Sequence, residues 1–305
     1  SLRQEMTPPL ARQAVAHTSN YTMPLQWFSI PQLFRYERQQ KGRLREHFQF
    51  NADIIGEEHL AADAELIALL IDTLRDLNLT SNDFVVRLSS RSAWQDFFAN
   101  GGGQENGAND FYQIIDKLER EDPAVSGDKL AKLGFSLEQV DDFIGSSQPT
   151  DELAAILANI EARGLGDFIK IDYRIIRGLA YYTGPVYEAF DKRGKFRAIA
   201  GGGRYDHLLK LVSSGKSDLP ALGFGMGDVV LAELLKDRGL VPQLSQALDA
   251  FVQITDESMR SPSLGLVQQL RQSGLATEYP LLKTCLLYTS PSPRDQRGSR
   301  MPSSA

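Results

Sequence analysis

The chain has 305 residues, enough for about two domains of roughly 100–200 residues each. Its content of 42% apolar and 24% charged residues is that of an ordinary globular protein and excludes collagen, coiled coil or disorder for most of the chain. A single cysteine, Cys285, excludes a disulfide framework and a cysteine-based metal cluster. No apolar run approaches the roughly 18 residues of a membrane span, so we expect no membrane association. The net charge of −6 argues against indiscriminate nucleic-acid binding but leaves room for a local basic patch.

Both ends of the chain differ from its middle. Residues 1–7 include no initiator methionine and no targeting segment, so we expect the chain to begin inside a domain. In residues 286–305 the apolar periodicity is lost, and eleven of the twenty residues are Ser, Pro or Arg. This tail is either a natural disordered segment or foreign sequence resembling translated adaptor or vector DNA. We favour the second interpretation and exclude the tail from the fold.

Apolar periodicity predicts three helices in the middle of the chain, over residues 62–77, 110–120 and 151–163. Gly164 is placed to end the third. Their apolar stripes are predicted core faces. The glycine-rich residues 100–108 are predicted to be a loop.

Strands are predicted on either side of the helices. Residues 27–38 and 48–55 predict a long hairpin around a charged turn. Further predicted strands cover residues 84–88, 168–176, 186–191 and 196–200. Residues 228–238 predict a helix that Asp228 caps and Gly239 ends, and residues 250–254 with 264–271 predict a β-then-α unit. This order favours an α+β protein with an antiparallel sheet.

The densest chemical signal lies in residues 34–50, where five cationic side chains fall within eleven positions. A guanidinium on a rigid strand suits a phosphate, because its planar fork binds two oxygens at once. The turn is expected at Gly42, and a second arginine close to it could bind the outer phosphates. A solvated charged hairpin explains the same spacing, so the spacing alone leaves both interpretations open.

Three glycine-containing segments form the second group of signals: residues 177–184, 200–206 and 223–228. The first contains two tyrosines, the second has three consecutive glycines, and the third runs from a strand into a helix, whose N-terminus favours anions. None has the dinucleotide or P-loop spacing. Each of the first two is also explained by a tight turn beside core aromatics.

Together these segments resemble the histidyl-tRNA synthetases, a family of class II aminoacyl-tRNA synthetases, over residues 2–279. Residues 35–53 resemble motif 2, residues 177–188 the first histidine-specific signature, and residues 202–208 the second. Residues 3–7 resemble an Arg-Pro-Glu-x-Thr element. The four matches occur in the family's order.

The resemblance implies a binding pocket for the amino acid. Glu5, Thr7 and Asp53 match positions that hold the α-ammonium of histidine, and oxygen acceptors suit a cation with three donors. Gln49 matches a glutamine of the same pocket. The signatures that line the imidazole pocket contain Tyr181, Tyr182 and Tyr205. A phenol can satisfy either nitrogen of a neutral imidazole.

The resemblance also implies ATP as a substrate, with Mg²⁺, although no side chain is assigned to the metal. Arg35 matches a ligand of the α-phosphate, Glu37 a contact on the adenine side, and Arg43 a clamp on the outer phosphates. Arg177 matches the family's catalytic arginine and also belongs to the histidine-binding set. We therefore expect Arg35 and Arg177 to be catalytic.

The sequence departs from the family pattern at several positions. Gln39 replaces a proline of motif 2, and Ala180 stands where aspartate is frequent. Residues 228–230 read Asp-Val-Val where many members have a Glu-Arg pair, so the arginine of motif 3 is absent. Motif 1 is expected to precede Ser1.

The function implied by the resemblance is activation of histidine by ATP and its transfer to tRNA(His), in a cytoplasmic homodimer, with an organelle as the alternative location. The alternative function is a synthetase-like, histidine-sensing regulatory subunit of ATP phosphoribosyltransferase. A sensor of this kind has no need of the motif 2 residues that bind ATP, which favours the synthetase. The expected catalytic core has two parts, residues 1–57 and 167–240, with a mostly helical insertion, residues 58–166, between them. A partial anticodon-binding domain at residues 246–280 and a non-native or disordered tail at residues 281–305 are expected to follow.

Overall fold

A computed structural model describes residues 2–36, 44–118, 121–175, 181–242 and 248–281. The chain divides into two compact units, Ser1–Val241 and Pro242–Ala305. In the part of the chain that is described, no helix combines the length and the apolar character needed to span a membrane.

The first unit is built on a mixed sheet of eight strands. These are β1 (Leu25–Ser29), β2 (Gln32–Phe34), β3 (Glu46–Ile55), β4 (Phe84–Ser90), β5 (Ile169–Ile171), β6 (Pro185–Asp191), β7 (Ala200–Arg204) and β8 (Ala221–Gly227). Their spatial order is β1-β3-β8-β7-β6-β4-β5, and β2 pairs with β3 beside β1. The neighbours are antiparallel except β4 and β5. The predicted α+β class with an antiparallel sheet flanked by helices is confirmed.

Nine helices are described in this unit: α1 (Thr7–Ala16), α2 (Ala61–Asp76), α3 (Arg91–Asn100), α4 (Ala108–Lys117), α5 (Pro123–Ala131), α6 (Leu137–Ser146), α7 (Asp151–Ala162), α8 (Leu208–Val212) and α9 (Asp228–Arg238). Side-chain caps fix where several begin. Thr150 accepts a hydrogen bond from the Leu153 amide at the start of α7, and Ser136 and Gln139 form a reciprocal capping box at the start of α6.

The helices predicted from periodicity are present as α2, α4 and α7, and Gly164 follows α7 with a left-handed φ of +72°. Gly239 ends α9 in the same conformation, as predicted. The predicted cap of α9 is wrong: Gly227 is the N-cap residue and Asp228 is the first residue of the helix, with no side-chain cap bond. Its carboxylate still lies at the helix end that favours negative charge.

Three strand predictions need correction. The first arm of the hairpin is two strands, β1 and β2, because Ile30 and Pro31 interrupt the strand. Proline has no amide hydrogen to donate to the hydrogen bonds between strands. Strand β5 covers only Ile169–Ile171 of the predicted 168–176 and runs parallel to β4. Strand β7 begins at Ala200, so the three glycines lie inside a strand and not in a turn.

The two faces of the sheet carry different cores. Leu222, Phe224 and Met226 of β8 point into the larger apolar cluster, which α2, α3, α7 and α9 cover and which contains the buried Trp94. The alternate residues of β8 point to the other face, where a smaller cluster joins α1 and α8 to the sheet and includes the half-buried Trp27. The second face is therefore only partly covered by apolar packing.

The second unit contains β9 (Ala250–Phe251), α10 (Arg260–Gln272) and β10 (Thr277–Glu278). The two short strands pair in parallel. The predicted β-then-α order is thus present, with a shorter strand and a longer helix than expected. Of the predicted non-native tail, residues 281–305, only Leu281 belongs to the described residues.

Candidate active site

Glycines of β7 and β8 form the floor of the candidate site. Gly201 lies opposite Gly225, and Gly203 lies opposite Gly223, so the middle of the second face has no side chains. A Cβ atom on Gly223 would lie 2.1 Å from Oδ1 of Asp53, which leans over it from β3. Glycine is needed here because the polar side chains of the adjacent strand occupy the space that a Cβ would take.

Strand β3 supplies one wall of the site. Gln49, Asn51 and Asp53 alternate along the strand and so point to the same face. Their register partners on β8 are glycines, and a Cβ on Gly225 would lie 1.9 Å from Nε2 of Gln49. The structure thus places two predicted histidine-binding residues, Gln49 and Asp53, on the same face of β3, over the glycine floor.

Asp53 is paired with a predicted tyrosine. The hydroxyl of Tyr205 donates a hydrogen bond of 2.6 Å to Oδ1 of Asp53, and both residues are buried. Burial raises the pKa of Asp53 to about 7, although the hydrogen bond from Tyr205 opposes the rise. Burial and the neighbouring carboxyl also hold the pKa of Tyr205 well above its usual value. The carboxyl is therefore poised to lose its proton when a cation approaches.

The three predicted tyrosines form one cluster. The ring centroid of Tyr181 lies 5.2 Å from that of Tyr182 and 5.9 Å from that of Tyr205. The ring of Tyr182 contacts the floor, since a Cβ on Gly203 would lie 3.0 Å from its Cδ1. The cluster forms an aromatic wall that meets the β3 wall at the Tyr205–Asp53 hydrogen bond.

A buried ion pair supports the tyrosine cluster from behind. The Arg204 guanidinium pairs with Asp63 at the start of α2, and Nη1 of Arg204 donates to the main-chain oxygen of Glu57 at 3.0 Å. Asp206 accepts hydrogen bonds from Nη1 of Arg204 at 3.4 Å and from the Thr183 hydroxyl at 3.0 Å. Burial raises the pKa of Asp63 to about 6, although the hydrogen bond and the positive charge of Arg204 oppose the rise. These bonds fix Arg204 and Asp206, on either side of Tyr205, and Thr183, which follows Tyr182.

Strand β2 holds the N-terminal segment that carries Glu5 and Thr7. The Phe34 amide donates to the Arg3 carbonyl at 2.8 Å, and Nε of Arg35 donates to the Gln4 carbonyl at 3.1 Å. Glu5 follows directly and Thr7 begins α1, and both are half-buried. The structure therefore joins the first part of the predicted motif 2 to the predicted ammonium-binding segment.

Three predicted site residues, Glu37, Arg43 and Arg177, lie outside the described residues. Val230, near the position of the arginine that motif 3 lacks, packs against the larger apolar cluster. Among the residues that the structure describes, no three His, Cys, Asp or Glu side chains come together as a metal-binding group. The Mg²⁺ that the resemblance implies needs no such group, because Mg²⁺ bound with a nucleotide takes most of its ligands from phosphates and water.

Sequence reasoning missed Asn51 and Asp63. Asn51 lies between two predicted residues on β3, and alternation along the strand could have indicated that it shares their face. Asp63 looks like an ordinary acidic residue in the first turn of a helix. Its partner, Arg204, is 141 residues away, and no local signal links the two.

The antiparallel sheet and the helices that flank it agree with the fold expected for a class II aminoacyl-tRNA synthetase. The sequence model of the family described as histidyl-tRNA synthetase matches residues 1–228. The chain belongs to the histidyl-tRNA synthetase family.

Relatives from two kinds of organism agree with this assignment. A histidine–tRNA ligase of the bacterium Opitutus terrae is 41% identical, with 92% of this chain and 69% of the relative covered. The chloroplastic/mitochondrial histidine–tRNA ligase of Arabidopsis thaliana is 37% identical, with coverage of 92% and 61%. The chain thus spans about two thirds of the length of these relatives.

Solved structures show the same fold. The crystal structure of histidyl-tRNA synthetase from Nostoc sp. PCC 7120 superposes with a TM-score of 0.77 at 25% identity, covering 93% of this chain and 71% of that one. A protein from Bacillus halodurans described as an ATP phosphoribosyltransferase regulatory subunit/histidyl-tRNA synthetase gives a TM-score of 0.71 at 21% identity, over 91% and 73% of the two chains. That second likeness concerns the fold alone.

Proposed function

We propose that the protein activates histidine with ATP to form histidyl-adenylate and then transfers the histidyl group to tRNA(His). One histidine carboxylate oxygen attacks the α-phosphorus, a C–O–P linkage forms, and the α–β phosphoanhydride bond breaks as pyrophosphate leaves. A terminal ribose hydroxyl of the tRNA then attacks the adenylate carbonyl, and AMP leaves. The observation that carries the proposal is the buried Asp53–Tyr205 pair beside Gln49, over a floor without side chains.

The walls of the site suit the two ends of histidine. The α-ammonium has three donors, and we assign Asp53, Glu5 and Thr7 as its acceptors. Arrival of this cation stabilises the ionised form of Asp53, whose pKa is about 7 in the free site. The three tyrosine hydroxyls are proposed to satisfy the imidazole nitrogens. A pocket built on such hydrogen bonds rejects isosteres that lack them.

The phosphate chemistry is assigned to arginines. Arg35, held against the Gln4 carbonyl, and Arg177 are proposed to stabilise the charge that grows on the α-phosphate. Glu37 is proposed to contact the adenine side and Arg43 the outer phosphates. Mg²⁺ is proposed to accompany ATP.

The test is to measure histidine binding by calorimetry and histidine-dependent ATP–pyrophosphate exchange in four variants. In Tyr181→Phe, Tyr182→Phe and Tyr205→Phe the packing is kept and one hydroxyl is lost, so we expect at least one to bind histidine about 0.5–1.5 kcal/mol more weakly. Arg177→Ala should slow exchange by roughly 10²–10³ with a smaller effect on histidine affinity. Wild-type binding by all three tyrosine variants would show that the pocket is misplaced.

One alternative is a histidine-sensing regulatory subunit of ATP phosphoribosyltransferase without aminoacylation, because a Bacillus halodurans protein whose description includes such a subunit has the same fold. The two functions separate in one assay. A synthetase exchanges pyrophosphate into ATP when histidine is present, whereas a sensor binds histidine and catalyses no exchange. Arg35, Arg43 and Glu37 favour the synthetase, because sensing histidine does not need an ATP clamp.

We propose a homodimer as the complete enzyme. Strand β1 lies at one end of the sheet order, and its Phe28 is 75% exposed, with Ile30 just beyond it 61% exposed. Exposed apolar side chains on a sheet edge suit burial against a second copy. Light scattering of wild type and Phe28→Ser would test this assembly.

We also propose that residues 246–280 begin an anticodon-binding domain, which the parallel β9–α10–β10 arrangement supports. The location proposed is the cytoplasm, or an organelle as for the Arabidopsis relative. Limited proteolysis would test the domain boundary, and cell fractionation would test the location.

A further inference from the structure

Asn51 is an unexplained polar residue in the middle of the candidate site. Its side chain is 4% exposed, and its Oδ1 has no hydrogen-bond partner among the described residues. A buried acceptor without a partner is uncommon in a folded protein, because it has lost its bonds to water and gained none in return. Such a group calls for a partner that arrives from outside the chain.

The direction of the Asn51 side chain identifies where that partner would lie. Asn51 stands between Gln49 and Asp53 on β3 and directly opposite Gly225 on β8. A Cβ on Gly225 would lie 3.3 Å from Nδ2 of Asn51. The amide therefore leans over the glycine floor, where the substrate is proposed to sit.

We propose that Asn51 contacts the amino-acid substrate and that its Oδ1 accepts a hydrogen bond from the α-ammonium. This assignment rests on the proposed function. Oδ1 can only accept, so it requires a donor and cannot bind the substrate carboxylate. The imidazole donor is assigned to the tyrosine cluster, which meets β3 beyond Asp53. The α-ammonium is therefore the remaining donor group of the substrate on the β3 side. It has three N–H donors, so it can bind Asn51 as well as the neighbouring Asp53.

The role of Asn51 differs from that of Asp53. Asp53 must lose a proton to bind a cation strongly, whereas the amide is neutral at every working pH. Asn51 therefore adds an acceptor without adding a second buried charge beside a carboxyl that is already difficult to ionise. The pair combines a charged and a neutral acceptor for one cation.

The test compares two ligands in two variants of the full chain. Asn51→Leu replaces the amide with an apolar group of similar shape, and Asn51→Ala removes it without risk of overpacking. We expect calorimetry to show that both variants bind histidine about tenfold or more weakly, since a hydrogen bond to a charged group is lost. Binding of imidazolepropionate, which lacks the amino group, should be unchanged.

Thermal unfolding supplies a second readout. Removing an acceptor that has no partner removes its desolvation cost, so ligand-free Asn51→Leu should melt at or above the wild-type temperature. Added histidine should raise its melting temperature less than that of wild type. A structural role for Asn51 would give the reverse, a lower melting temperature without ligand and an undiminished histidine effect, and would overturn the proposal.

Ser89→Ala is the matched control. The Ser89 hydroxyl is also buried without a partner among the described residues, but it lies on β4, four strands away from β3 in the sheet order. We expect this variant to bind both ligands as wild type does. Unchanged histidine binding in both Asn51 variants, or an equal loss for both ligands, would overturn the assignment of Asn51 alone. A wild-type chain that binds no histidine would overturn the proposed function and this assignment together.

Discussion

The two faces of the sheet differ in what their side chains do, although the same strands build both. On β8, Phe224 is buried in the larger apolar cluster, while its neighbours Gly223 and Gly225 present bare backbone to the other face. The packed face consists of apolar contacts under helices. The site face has a carboxyl with a raised pKa and an amide oxygen without a partner among the described residues.

The difference indicates that one face of the sheet mainly stabilises the fold and the other mainly binds the ligand. Burial of apolar area on the packed face stabilises the fold. Buried polar groups on the site face reduce stability unless a ligand satisfies them. We therefore expect substitutions on the packed face to change unfolding and those on the site face to change binding, even at adjacent positions of one strand.

The largest effect should come from Phe224→Ala. The buried ring is lost and a cavity remains, which costs about 3–5 kcal/mol of the free energy of unfolding. Urea denaturation would measure this loss, and histidine affinity of the folded variant should stay within about twofold of wild type. Leu211→Ala is the control, because its exposed side chain predicts a change below about 0.5 kcal/mol. Equal losses in the two variants would contradict the burial argument.

The next largest effect should come from Arg204→Met, which should lower the free energy of unfolding by about 3 kcal/mol, because it leaves Asp63 buried without its cationic partner. Both stability and histidine binding should fall, since Arg204 also supports the tyrosine cluster. The double variant Arg204→Met with Asp63→Leu should recover most of the stability but not the binding. A double variant as unstable as the single one would show that the buried charge is not the cause.

Asp53 should make stability depend on pH. Its pKa is raised to about 7 in the folded chain, so between about pH 4 and 7 the folded chain holds a proton that the unfolded chain has released. The contribution of this group to stability is therefore present at low pH and is lost as pH rises through about 7. Between pH 5 and pH 8, Asp53→Asn should gain on the order of 2 kcal/mol relative to wild type. Parallel urea curves with the same difference at both pH values would contradict this shift.

The smallest effect should come from the helix end at Gly239. Its φ of +68° disfavours other residues, and a Cβ there meets no neighbour, so Gly239→Ala should cost only about 1 kcal/mol through backbone strain. Gly127→Ala is the matched control, because its site also has open space but lies inside helix α5 without a left-handed φ. Thermal unfolding should show a lower melting temperature for the first variant alone.

The sequence allowed much of the fold to be predicted wherever a local pattern decides the structure. Helices α2, α4 and α7 follow from apolar periodicity, and the β3 hairpin follows from two apolar segments around a charged turn. The glycines of β7 were harder, because three consecutive glycines are typical of a turn and lack the side chains that indicate a strand. In the sheet, Gly202 lies against Phe224 and Gly203 lies against Tyr182, and only the assembled strands reveal these contacts.

The residues of the candidate site that belong to recognisable sequence motifs could be predicted, and the others could not. The resemblance assigned Gln49, Asp53 and Tyr205, and the structure brings these three together, while their roles remain proposals. It gave no role to Asn51, because the lack of a partner for its Oδ1 among the described residues can be recognised only from the structure. The Arg204–Asp63 pair joins distant parts of the chain, so sequence spacing contains no trace of it.

The positions of the two tryptophans give the protein a pair of built-in optical probes. Trp27 lies directly opposite Asp53 on the site face and packs edge-on against Tyr21, with ring centroids 5.2 Å apart. Trp94 is buried on the packed face, and its Nε1 donates to the Tyr173 carbonyl at 2.9 Å. Since the chain has only these two tryptophans, Trp27→Phe leaves an emission that follows unfolding of the helical side, and Trp94→Phe leaves one that follows events beside the pocket. The fluorescence of two single-tryptophan variants can therefore time ligand arrival and loss of the core separately in one molecule.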